Sequence, residues 1–164
     1  MKSVLIFFLS AFIFFDSWVH SNIGNNLTIQ FPEKPKIENI FKDDTSFSAS
    51  NSNCEFSVDV SNYPAPVFPN NEKEAVNILE RSVALSKEKG VFISSKSFML
   101  GKIKGIEIKE YFTPSKSVKL IQVNRKFFIN YELYTLRCLY KKNKSENNCE
   151  KDCRHFFSSL KFKQ

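Results

Sequence analysis

The residues of this chain best suited to chemistry are its four cysteines, Cys54, Cys138, Cys149 and Cys153. Paired thiols can cross-link, pass electrons or hold a metal, and the redox compartment decides which. Cys149-x-x-x-Cys153 has three intervening residues, whereas a dithiol redox site usually has two and sits at a helix start that lowers the thiol pKa. A zinc site would recruit His155, but on a helix a ring two residues from Cys153 faces away from it. Thiol-redox or metal handling by Cys149 and Cys153 is therefore the alternative reading, and structural disulfides are the expected one. Beyond the cysteines the chain offers little. It has no Gly-x-Ser-x-Gly, phosphate loop or dinucleotide fingerprint, and His155 alone makes no triad. No catalytic residue, cofactor or resident metal is expected, so the chain reads as no enzyme. A hydrolase of another type would need a cleft with converging polar groups. Asp43-Asp44 brings too few oxygens for a calcium loop. Phe127, Phe128, Tyr131 and Tyr134 could form an aromatic binding patch, but aromatic residues in strands mostly fill cores.

The N-terminus sets the compartment. Met1 and Lys2 precede Val4 to Phe15, where Ser10 is the one polar residue, and Asp16 ends the run. A membrane-spanning helix needs about 20 apolar residues, so this shorter run reads as a secretory leader. Residues 1–21 are assigned to that signal peptide, with cleavage after Ser21 or after Ser17, and residues 22–164 to one domain. The expected location is secreted or periplasmic, soluble once the leader is removed, with no membrane span. In such a compartment an even cysteine count reads as two bridges.

Removing residues 1–21 leaves 143 of 164 residues, enough for one domain with a real core, and keeps the net charge at +7. The basic residues are scattered, without an arginine cluster or an aromatic-and-basic motif. They read as a solvated face, and no nucleic-acid partner is expected.

The elements that position the cysteines mix two periods. Leu27–Phe31 alternates up to Pro32 and reads as a strand. Thr45–Ser50 and Cys54–Val60 form a hairpin around Asn51-Ser52-Asn53, with Cys54, Phe56, Val58 and Val60 on one face. A helix runs from a cap at Asn71 to Gly90, with Ala75, Val76, Leu79 and Val83 on its apolar face. Strands are expected over 91–100, 104–113, 117–128 and 131–141. The last carries bulk on both faces, as a central strand does. A second helix, 147–160, puts Cys149, Cys153, Phe156, Phe157 and Leu160 on one face. Cys149 and Cys153, one turn apart, are poorly aimed at each other. If the helix folds back along the last strand, Cys153 comes level with Cys138 and Cys149 meets Cys54. The expected bridges are Cys138–Cys153 and Cys54–Cys149, each contributing about 2–4 kcal/mol.

The order of these segments resembles the PsbP-like α-β-α sandwich of small exported bacterial proteins. The residues that carry the likeness are Leu27-Thr-Ile-Gln-Phe-Pro-Glu-Lys-Pro35, Cys54–Val60, Ala75–Gly90, Gly101–Glu107, Tyr134-Thr-Leu136 and Phe156-Phe-Ser-Ser-Leu-Lys-Phe162. The resemblance implies an α+β fold, an antiparallel sheet of six to seven strands flanked by two helices. It also implies a non-catalytic domain that binds an unknown protein or envelope partner, or assists an envelope process. The four cysteines depart from the usual pattern of that fold.

Overall fold

A computed structural model describes residues 18–41, 44–63, 72–115, 118–142 and 146–163. Most of the leader, Asp43 and the Asn71 cap lie outside these residues. Period-two alternation dominates the chain, and strands dominate the fold. In chain order the elements are β1 (Val19–Ile23), β2 (Leu27–Phe31), β3 (Lys36–Phe41), β4 (Asp44–Ser50) and β5 (Cys54–Asn62). Then follow α1 (Glu72–Glu88), β6 (Phe92–Leu100), β7 (Ile103–Ser115), β8 (Val118–Ile129) and β9 (Glu132–Lys141). The chain closes with α2 (Glu146–Ser158) and β10 (Lys161–Phe162).

Seven strands make an antiparallel sheet in the order β3-β4-β5-β9-β8-β7-β6. Short turns set its hairpins. The Asn51 side-chain carbonyl accepts from the backbone N–H groups of Asn53 and Cys54, both at 2.9 Å, and so shapes the β4–β5 turn. Asn130, at φ 54°, makes the two-residue turn between β8 and β9. Gly90, at φ 66°, ends α1, and its N–H donates to the Lys87 carbonyl at 3.0 Å.

The helices lie on opposite faces. Phe127 packs with the core that holds Cys153 and Phe156, while its neighbour Phe128 packs with Leu79 of α1. Adjacent residues of a strand point to opposite faces, so the sheet separates α1 from α2. β9 sits near the middle, with Tyr134, Leu136, Cys138 and Tyr140 buried on the α2 side.

The α2 layer has a second component that the sequence reading did not contain. β1, β2 and β10 form a separate antiparallel sheet beside α2. It buries Ile23, Leu27, Ile29 and Phe31 completely. Five strands therefore precede α1, where the expected order had three. β1 falls partly within the residues assigned to the leader: Trp18–Ser21 are part of this ordered body. β3 is an edge strand whose Ile37 and Ile40 face solvent, so it lacks the alternation that marks a half-buried strand.

Candidate functional site

The four cysteines converge at one point in the core. Cys54 stands opposite Tyr140 and Cys138 opposite Phe56, so both thiols belong to neighbouring strands and one face. Burial of Cys149, Cys153, Phe156 and Phe157 seats α2 on that face and brings its two cysteines over the strand pair. Cys54 is bonded to Cys149, with Cα atoms 5.8 Å apart, and Cys138 to Cys153 at 5.9 Å. No cysteine is free. Each α2 cysteine is thus tied to the sheet, and Cys149 and Cys153 do not form a redox couple with each other. All four Sγ atoms lie within 4.8 Å of one another. These are the two pairs expected from α2 folding back along the last strand, while the closeness of the two bridges to each other depends on β5 and β9 being adjacent.

Beside the cluster, a cleft of about 380 Å3 opens between α2 and the strands β6, β7 and β8. Its wall holds four cations, Lys96, Lys109, Arg125 and Arg154, against two carboxylates, Glu107 and Glu150. Cys153 and the Phe157 ring also line it. Glu107 accepts from Arg125 Nε at 2.7 Å and from Lys96 Nζ at 3.0 Å. The Arg125 guanidinium lies over two rings, 5.1 Å from Phe98 and 4.6 Å from Phe157. Such stacking and pairing fix its plane. Lys109 donates to Glu150 at 3.1 Å. Burial opposes the Lys109 charge, but the hydrogen bonds and charges of Glu150 and Tyr140 outweigh it and hold the pKa above the ordinary lysine value. Arg154, on the exposed side of α2, has no ion-pair partner among the described residues. These cations come from three strands and a helix, so their convergence had no signal along the chain.

The other candidates separate. His155 is exposed, its Nε2 sits 2.8 Å from Gln30 Oε1, and its ring lies 4.5 Å from that of Trp18. Of the four aromatic residues, Phe127, Phe128 and Tyr134 are core, and Tyr131 is exposed. Asp44 opens β4. On the opposite face Lys126 reaches Ser82 Oγ at 3.4 Å, and burial pushes its pKa below the ordinary lysine value. The Ser82 hydroxyl in turn donates to the Ile78 carbonyl.

The architecture, two helices on either side of a mainly antiparallel sheet, is that of a PsbP-like α+β domain. Cyanobacterial PsbP from Synechocystis superposes with a TM-score of 0.63 at 10% identity, over 92% of this chain and 95% of that one. A protein of Bacteroides thetaiotaomicron matches with a TM-score of 0.53 at 11% identity, over 84% of this chain and 45% of that one. The Ran-binding protein Mog1p of Saccharomyces cerevisiae reaches only 0.47 at 9% identity. At these identities the likeness concerns the fold. No protein-family model and no curated protein matches the sequence. Among the described residues, no helix is long and apolar enough to cross a membrane.

Proposed function

We propose that this chain is an exported, non-catalytic binding domain, and that the cleft beside α2 takes an acidic segment of a partner protein. The observation that carries this reading is the wall of Lys96, Lys109, Arg125 and Arg154, which leaves the cleft two positive charges in excess of its carboxylates. Arg125 is held by its contacts with the Phe98 and Phe157 rings and its bond to Glu107, which leave its remaining N–H groups to a carboxylate of the partner. Phe157 supplies an apolar floor for the stem of an acidic side chain. The overall charge of +7 favours the approach of such a partner. The leader reading supports export, and two bridges with no free thiol suit an oxidising compartment.

The test is binding of a glutamate-rich peptide to the folded chain, read by fluorescence anisotropy at low and high salt. Lys96→Glu with Arg154→Glu changes only exposed cations. Binding that weakens at least about tenfold in this variant, a difference of about 1.4 kcal/mol, is the expected result. Equal affinity in both chains, or no binding at low salt, would refute the acidic-segment reading.

A further inference from the structure

We infer that the four cysteines, once reduced, form a tetrathiolate site for a single zinc ion. This goes beyond the binding reading and is independent of it. All four Sγ atoms already lie within 4.8 Å of one another, in a buried cluster supplied by three elements. A tetrahedral zinc with bonds of about 2.3 Å needs sulfurs about 3.8 Å apart. The widest pair must therefore close by about 1 Å, and each bonded pair must open by about 1.7 Å. Cα separations of 5.8 and 5.9 Å leave room for the bonded pairs to open by rotation of the side chains. Cys149-x-x-x-Cys153 falls within the two-to-four-residue spacing common in structural zinc sites. The two sheet cysteines complete the set without any histidine. A zinc tetrathiolate carries two negative charges, which equals the excess of cations over carboxylates in the cleft that Cys153 lines.

The conversion balances with a dithiol as the reductant. Two dithiol molecules each give up two electrons and two protons and leave as disulfides, and the Cys54–Cys149 and Cys138–Cys153 bonds become four thiols. Zinc then forms four Zn–S bonds, and four protons go to solvent. Oxidation by two equivalents of a disulfide reverses the sequence and releases the ion. The same four side chains thus tie α2 to the sheet in either redox state.

Cobalt(II) is the probe, added without oxygen to the full chain reduced by a dithiol and freed of it. Binding of one ion per chain is expected, with the thiolate-to-cobalt charge-transfer band and the red ligand-field bands of a tetrahedral site. The disulfide form should give none. Cys54→Ser and Cys138→Ser should each shift these bands and weaken binding by more than about tenfold, the loss already seen on removing outer-shell partners of metal ligands. Alkylation reads the same point without substitution: zinc should protect all four thiols of the reduced wild-type chain. A reduced chain without the bands, whether folded or not, overturns the inference. So do bands unchanged in both variants, or protection of two thiols or fewer.

Discussion

Tyr134 shows how one polar atom is managed in an apolar core. Its ring is fully buried and stacks on Phe127 with centroids 5.5 Å apart. Its hydroxyl donates to the Glu132 carboxylate, which also accepts from Asn26 Nδ2 at 3.3 Å. Burial first, and then the bond to Glu132, push the phenol pKa up to about 12. The folded value lies above the unfolded one, so the folded state resists losing this proton. Its contribution is complete below about pH 10 and disappears as pH rises through 12. Urea melts should therefore show stability falling between pH 10 and 12, and Tyr134→Phe should flatten that fall. At pH 7 the same variant should lose about 1 kcal/mol, the value of one hydrogen bond. Gly105 makes a second prediction at this scale. A Cβ there would collide with the Phe98 ring and lie 2.9 Å from the Lys126 carbonyl oxygen. Gly105→Ala should cost about 1–3 kcal/mol in a urea titration. Neither role has a signal in the sequence. Tyr134 reads there only as a strand aromatic and Gly105 has no side chain to mark its role, because Phe127 and Asn26 reach the Tyr134–Glu132 pair, and Phe98 and Lys126 the glycine, from other parts of the chain.

Among the elements, β1 separates local pattern from tertiary fact. Val19 to Ile23 pair with all of β2, from Val19 opposite Phe31 to Ile23 opposite Leu27. Trp18 packs edge-on against Phe56, 5.4 Å between centroids. A chain starting at Asn22 keeps only the pairs Asn22–Thr28 and Ile23–Leu27. A chain starting at Trp18 keeps the whole strand. We expect the longer chain to be more stable by on the order of 2 kcal/mol, measured as the difference in denaturant midpoints between the two purified forms. Equal midpoints would mean that β1 adds nothing. The helices were far more legible. Asn71 to Gly90 carries a cap, a stop and an apolar stripe and residues 147 to 160 carry an apolar stripe, and the structure has helices over Glu72–Glu88 and Glu146–Ser158, the second starting one residue before Asn147, which therefore lies inside the helix and does not cap it. The hairpin β4–β5 and the four-strand meander were legible for the same reason, since their alternating stretches are bounded by turn residues, Asn51 to Asn53 in the hairpin and Gly101, Pro114, Ser115 and Asn130 in the meander. β3 and β10 were not. β3 exposes Ile37 and Ile40, and β10 is two residues long, so neither carries a period.

Across the whole molecule, two bridges join α2 to the sheet over very different lengths of chain. Cys54–Cys149 spans 95 residues and Cys138–Cys153 spans 15. Loop-closure entropy grows with the logarithm of that span, giving about 4.7 kcal/mol for a loop near 100 residues and about 3 for one of 15. Replacing both partners of the long bridge by alanine should lower stability by about 1.5 kcal/mol more than doing so at the short one. Chemical denaturation of the two double variants measures this directly. The reverse order would mean that native-state packing, and not the unfolded chain, sets the value of these bonds. An α+β body, the two helices and a run of alternating strands could all be read or expected from linear order, because caps and periodicities are properties of neighbouring residues. The small sheet of β1, β2 and β10, the closeness of the two bridges to each other and the cationic cleft belong to another category. Each joins residues tens of positions apart, and their meeting depends on which strands lie side by side and where α2 settles on them. That choice is made by burial of the combined apolar surface, a quantity that no local stretch of sequence contains.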